Sequence, residues 1–316
     1  MPYRSILFAA LQSAGLMIAG FLVPVIGQIT LLIAPVPLIL IMVREGKLPG
    51  MLAVGLATAI VAILAGGQAV LVVIFLSFGF MAMGLADGLR WRWKPENAVL
   101  MGGMFTLVAL VVVLAPFLSQ TGKGPMAVTE EYLRTSIAEA QQLYTQLGLA
   151  DVAQMMAQVT DTVVYYLVRL LPGIILATTL LQAACCYGMA RSLILRKDPA
   201  AAILSEPSLA TWHAPDSWVW GLIVSLGLVA SGLLTATKGI AFFLGLNLAL
   251  VFLLVYSVQG LSLVEFTLRK ARVGTIWRSL ILTFIVALPL IVPVIALGVV
   301  DIWADFRKVR TPAQTP

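Results

Sequence analysis

Charge is scarce in this sequence. Of its 316 residues, 11% are Asp, Glu, Lys or Arg, while 61% are hydrophobic. A soluble protein so composed would expose far more apolar surface than a monomer tolerates, which excludes the soluble globular class. Histidine is nearly absent, His213 being the only one, and the two cysteines, Cys185 and Cys186, are adjacent within an apolar run. Two cysteines cannot make a framework of structural disulfides, and with one histidine they argue against a zinc site of the common His/Cys type. They read as two small buried hydrophobes. Phosphate-binding loops, glycine-rich dinucleotide turns and metal-ligand spacings are also missing. His213 neighbours Trp212 and Pro215 rather than a plausible nucleophile. We therefore expect neither enzymatic activity nor a cofactor or metal.

What the chain does have is long apolar runs. About 20 such residues span a hydrocarbon layer about 30 Å thick. Nine stretches qualify or nearly do: 5–26, 29–43, 48–65, 69–89, 97–118, 163–195, 217–234, 239–266 and 276–300. The expected fold is all-α, a polytopic transmembrane helix bundle of about nine spans, or eight, with one extramembrane helical insert. Residues 1–118 form a five-span bundle with a broken second span, 119–162 an outer amphipathic insert, and 163–316 a four-span bundle. A short linker, 196–216, and a polar tail complete the last region. The first run follows Tyr3 and Arg4 without a small-x-small cleavage site and reads as an uncleaved span.

The formal charge of +6 reflects orientation rather than nucleic-acid binding, because Lys and Arg collect in cytoplasmic loops. A cytoplasmic N-terminus puts Arg4, Arg44, Lys47, Arg90, Arg92, Lys94, Arg191, Arg196, Lys197, Arg269, Lys270, Arg272 and Arg278 inside. The outer insert is acidic, with Glu130, Glu131, Glu139, Asp151 and Asp161. The location this predicts is the bacterial inner membrane, with the bilayer as partner. Nine spans, however, leave Arg307, Lys308 and Arg310 outside, against the rule. The run 29–43, short and holding Pro35 and Pro37, is the segment suspected of not crossing. Trp91 and Trp93, and Trp212, Trp218 and Trp220, fall at span ends where indoles anchor to the interface.

In the insert, Thr129 is a candidate N-cap, followed by a stripe of Leu133, Ile137, Ala140, Tyr144 and Leu147. Asp151 can cap a second helix that runs on into the sixth span, bent or loosened at Pro172. The pair reads as a lid over the bundle, with a docking surface as the alternative. Small residues mark close helix contacts: Gly55, Ala59, Ala62 and Gly66 in the third span, Gly84 and Gly88 in the fourth, Ala10 and Ala14 in the first. The terminal first span makes Ala10 and Ala14 the candidate partner interface.

Two of the three ionisable groups in the spans have helical neighbours to neutralise them, Asp87 with Arg90 and Glu265 with Arg269, while Arg169, near the outer end of its span, can snorkel outward or pair with Asp161. The amides go deeper. Gln12, Gln28, Gln68, Gln182, Asn247 and Gln259, with Thr30, are candidate ligand contacts or interhelical glue. The Pro-broken second span is the most transporter-like feature, because a discontinuous helix frees backbone groups that can hold a substrate.

Tyr256 to Phe266, including Gln259-Gly260, then Gly298 and Asp301-Ile302-Trp303-Ala304-Asp305-Phe306-Arg307-Lys308, resemble the YybS-type family of bacterial inner-membrane proteins. So do Arg191 and Pro215 to Trp220, and the likeness spans essentially the whole chain. It implies a multi-span membrane protein and no particular chemistry. Residues 4–65, with Arg44-Glu45-Gly46-Lys47 leading into a Gly/Ala-rich span, are similar to substrate-binding subunits of energy-coupling-factor transporters. There, Ala10 and Ala14 would meet a coupling protein. These readings favour a solute-binding or permease-like protein handling a small polar or amphipathic molecule. The alternative is a non-catalytic scaffold or accessory subunit that docks another membrane protein.

Overall fold

Where no water can reach, backbone groups must bond within their own segment, so the apolar runs become helices. A computed structural model describes residues 2–22, 26–64, 66, 69–197, 209–236, 238–287 and 290–307. They form α1 (Pro2–Leu22), α2 (Ile26–Ile33), α3 (Val36–Glu45), α4 (Lys47–Leu64), α5 (Ala69–Arg90), α6 (Pro95–Thr121), α7 (Pro125–Gln146), α8 (Ala150–Lys197), α9 (Trp218–Leu234), α10 (Ile240–Lys270), α11 (Thr275–Ala287) and α12 (Ile291–Ala304). No strand occurs among the described residues, and the chain is an all-α membrane bundle. Six helices, α1, α4, α5, α6, α8 and α10, are each long and apolar enough to cross alone.

The remaining runs take three other forms. Helix α9 is apolar but has only 17 residues. Helices α2 and α3 are one run broken at Ala34 and Pro35, and they follow α1 along its length. Gly20 packs on Leu31 near one end, the Ser13 hydroxyl reaches the Ala34 carbonyl at 2.6 Å in the middle, and Ser5 shares a cavity with Arg44 and Glu45 at the other end. The suspected non-crossing segment therefore runs from end to end.

The turn-back comes instead at the C-terminus. Helices α11 and α12 meet at 103°. Gly260 of α10 and Gly298 of α12 let the two backbones touch, Gly298 against Tyr256 and Gly260 against Val294. Beyond α12, Arg307 hydrogen-bonds the carbonyls of Ala210 and Trp212, just before α9, while α11 starts from the same end of α10. The α11–α12 pair thus leaves and returns at one end of the bundle. Arg307 thus lies at the basic end rather than the opposite one, and the helices long and apolar enough to cross number six, or seven if α11–α12 is one bent span, fewer than the nine or eight expected.

Ion pairs bind the basic end together. Lys47 at the start of α4 meets Asp87 of α5 at 2.8 Å and lies over Trp91, so Asp87 is held across helices rather than by Arg90. Glu265 accepts from Arg269, as expected, and also from Arg278 of α11 at 2.9 Å. Small residues admit close contact between α5 and α6, where Gly84 faces Gly102 and Gly88 faces Ala98. In α4 the buried side is Ala53, Val54, Ala57 and Val61. The Gly55, Ala59 and Gly66 positions point outward, which corrects that groove's expected face. Ala10 and Ala14 are 0% and 1% exposed. They pack inside this chain's own core, so they offer no surface to a partner.

Helix α8 has 48 residues, about 72 Å of rise, more than twice the apolar layer. Its N-terminal half stands beyond the bundle with α7 alongside. Arg134 ties Glu130 to Asp161 at 2.7 Å, and Gln141 reaches Thr160. Helix α7 begins at Pro125 rather than after Thr129, whose hydroxyl bonds back to the Pro125 carbonyl; Pro suits a first turn, where its missing N–H has no partner to lose. No α7 residue is buried. The hairpin projects outward and does not close over the bundle as a lid. Since Asp161 is taken by Arg134, Arg169 instead lies 3.7 Å from the Tyr165 ring centroid.

Pro172 sits within α8 and interrupts its bonding ladder. Asn247 of α10 fills the gap: its oxygen accepts from the Gly173 N–H at 2.5 Å, and its amide donates to the Arg169 carbonyl at 2.8 Å.

Two measurements test this architecture. Cysteines replacing Asp216 and Phe306 should react with a membrane-impermeant maleimide from the same face of oriented vesicles; labelling from opposite faces would overturn the turned-back C-terminal pair. Asn247→Leu leaves the Pro172 break unbridged and should cost about 1–3 kcal/mol, the usual penalty for a buried unpaired polar group. It should appear as a lower Tm in detergent, and an unchanged Tm would show that the bridge carries no weight.

Candidate functional site

Most of the deep polar side chains bind this protein's own backbone. Pro35 and Pro37 leave carbonyls of α2 without helical partners. Ser13 takes that of Ala34, Gln182 takes Leu31 at 3.0 Å, and the Cys186 thiol takes Leu32 at 3.1 Å. Three carbonyls at the break are therefore taken by this protein's own side chains. Thr30 bonds back to Gly27, and Asn247 serves the Pro172 break. Gln259, fully buried, accepts from the Ala214 N–H at 3.1 Å and donates to Asp301 at 3.3 Å. Gln12, another candidate ligand contact, lines an open groove of about 730 Å³ beside Ser5, Arg44 and Glu45. The Gln28 side chain, Gln68 and Lys308 lie outside the described residues.

A better-defined recess lies between α6, α8, α10 and the 209–218 segment, with a volume of about 190 Å³. Its walls are aliphatic: Val99 and Leu100 from α6, Leu180 and Ala184 from α8, Leu254 and Val258 from α10. Polar character gathers at the basic end, in Glu96, Tyr187 and Arg191, with the indoles of Trp212 and Trp218 beside them. From Leu180 to Arg191 the cavity follows α8 for about 16 Å, half the thickness of the apolar layer. Glu96 sits in the first turn of α6, where the helix dipole favours a carboxylate. Gly188 lies on the wall, and a side chain added there would meet nothing within 4 Å. A larger side chain at this position would extend into the open side of the recess.

The 209–214 segment, whose Leu209 and Trp212 line one side of this cavity, is held by the C-terminal motif residues. Arg307, its side chain 1% exposed, bonds the Ala210 carbonyl at 3.1 Å, the Trp212 carbonyl at 2.8 Å, the Ser262 hydroxyl at 2.5 Å and Asp301 at 2.7 Å. Ser262 also reaches the Leu209 and Trp212 carbonyls. Asp301 accepts the Phe306 N–H at 3.1 Å. Asp305 takes a left-handed conformation, φ 39°, that turns the chain end back toward the loop. Gly260 is the contact point for α12, as above. The motif is thus a structural knot beside the cavity.

Chemically the recess can hold an apolar chain with a polar head. Asp87 and Glu265 are each engaged by their own cations, and no metal-holding group of three His, Cys, Asp or Glu occurs among the described residues. Sequence reasoning marked Arg191, Trp212 and Trp218 only as span-end residues and passed over Glu96, Tyr187 and Gly188. A charged residue at α6's start and a glycine at position 188 of α8 carry no periodic signal; only packing brings them together.

No curated protein and no solved structure matches the chain. A family model described as "Predicted membrane protein (DUF2232)" matches residues 13–302, from the first span through the buried Asp301. With nearly all of the bundle covered, the chain belongs to the DUF2232 family of membrane proteins.

Proposed function

We propose that this protein binds a small amphiphilic molecule drawn from the leaflet at its basic end, as a solute-binding or permease-like component of the cytoplasmic membrane. The observation that carries the reading is the cavity between α6, α8 and α10: aliphatic over about 16 Å, with Glu96, Arg191 and two tryptophans at one end only. That polarity matches a ligand with one apolar tail and one charged or dipolar head, lying parallel to the neighbouring lipids. A polar solute has less support, because Asn247 and Gln259, two of the amides expected to bind it, are engaged within the protein. The outer hairpin gives no support to a lid mechanism, and the internal position of Ala10 and Ala14 removes support for coupling through the first span.

A second reading, docking of a partner protein, draws on the hairpin tip, where Leu143, Leu147, Val152 and Met155 are exposed beyond the membrane layer. Co-purification that survives in the intact chain and is lost on deleting the tip would favour it.

Native mass spectrometry of protein released gently from its own membrane should show a retained molecule of lipid-like mass. Gly188→Leu fills the cavity without a clash and, by removing a helix-interior glycine, should leave stability unchanged or improved by up to about 1 kcal/mol. The retained molecule should then fall at least tenfold. Equal retention in Gly188→Leu would overturn the assignment of the site.

A further inference from the structure

The knot that ends α12 is oddly built for a purely structural clamp. It places a guanidinium and a carboxylate in the interior, with side chains 1% and 3% exposed. Such pairs give a fold little net stability, because desolvation offsets their attraction, and their best-attested use is to fix one arrangement against another. The satisfaction is also incomplete: the buried Arg307 Nε–H meets no acceptor among the described residues. An unmet donor at this depth raises the free energy of the seated state and lowers the cost of leaving it.

What Arg307 holds is specific. Its donors go to the carbonyls of Ala210 and Trp212, while Leu209 and Trp212 themselves line the cavity. The segment is also tied to Ser262 and Gln259 of α10, and Gln259 connects in turn to Asp301 of α12. Arg307, carried beyond a helix pair bent by 103°, is therefore one of the side chains that fasten this wall of the cavity, and the one that reaches it from outside α10. The Ala210 carbonyl has Arg307 as its donor, so withdrawal of the guanidinium leaves it to water and favours a segment that swings outward.

We propose that α11–α12 is a latch on the amphiphile cavity. With Arg307 seated, the 209–214 segment walls the cavity off from the basic side; with Arg307 withdrawn, the segment loosens and the cavity opens to that side, the route by which a ligand's head group passes. This rests on the cavity being the ligand site. It assigns the buried Asp301, Arg307, Ser262 and Gln259 to positioning roles, none of them touching ligand.

The test reads access rather than binding. In a Cys185→Ala, Cys186→Ser background, Gly188→Cys places a thiol on the cavity wall, and an impermeant maleimide is applied from the basic side of oriented vesicles. Adding Arg307→Gln should speed labelling at least fivefold, with Arg307→Lys falling between. Ser262→Ala leaves the ion pair intact but removes a donor to the Leu209 and Trp212 carbonyls; it should also accelerate labelling, and it carries the test independently of how Arg307→Gln folds. Rates unchanged in Ser262→Ala and in folded Arg307→Gln would overturn the latch. Native mass spectrometry on the Gly188→Leu chain separates the two ideas. Lost retention with unchanged labelling rates sinks the latch alone, and undiminished retention with accelerated labelling sinks the binding site alone.

Discussion

A backbone carbonyl freed inside an apolar layer has no water to turn to, and leaving it unpaired costs several kcal/mol. That constraint organises the bundle. Three interruptions of regular backbone among the described residues are met by side chains from other helices. Ser13, Gln182 and Cys186 serve the break at Pro35, Asn247 serves Pro172, and Gln259, Ser262 and Arg307 serve the segment before α9. These bonds connect α1 to α2, α2 to α8, α8 to α10, and α10 to α12. The same contacts that satisfy the breaks hold the bundle together.

Charge follows a parallel logic at the rim. Lys47 with Asp87, 40 residues apart, joins α4 to α5, and Glu265 with Arg278 joins α10 to α11, while Arg269 adds a pair within α10. Half-exposed partners such as Lys47 add little stability by themselves. Their value is in fixing which helix ends meet. Arg307 and Asp301 are different in kind, since both are removed from water and neither can be lost singly without stranding the other.

The elements were legible in the sequence because hydropathy is a local property. Each of the nine apolar runs is occupied by helix, and the rod that became α8 was readable from Asp151 through Pro172. Partners were not legible, because a helix of apolar residues has no polar side to declare its outward face. Gly55 and Ala59 thus look like a packing groove yet point outward, while Ala10 and Ala14 look available yet are enclosed. The prolines of the second span misled for a related reason. Proline announces that backbone bonds are lost but says nothing of who replaces them, and three replacements came from α1 and α8. The basic tail was the one sequence signal that foretold a topological fact, since the positive-inside rule already objected to Arg307 on the outer side.

The cavity and the knot beside it follow from this economy of polar groups. A bundle that uses its amides and hydroxyls to mend helices has few left for a ligand, so a binding site must be made from shape and from charges at the interface. Gly188 supplies the shape by omitting a side chain that nothing around it forbids. Glu96 and Arg191 supply the charge at the level where lipid head groups begin. The cavity's remaining wall, Leu209 to Trp212, belongs to no helix, so its backbone groups must be held from outside. That requirement falls on Ser262 and Arg307. A wall fastened by hydrogen bonds to its own backbone can be released by moving the donors alone, without unwinding a helix or separating packed apolar faces. Shape, interface charge and a detachable wall therefore come together at the one place in the described bundle where irregular backbone borders an apolar cavity at the basic end.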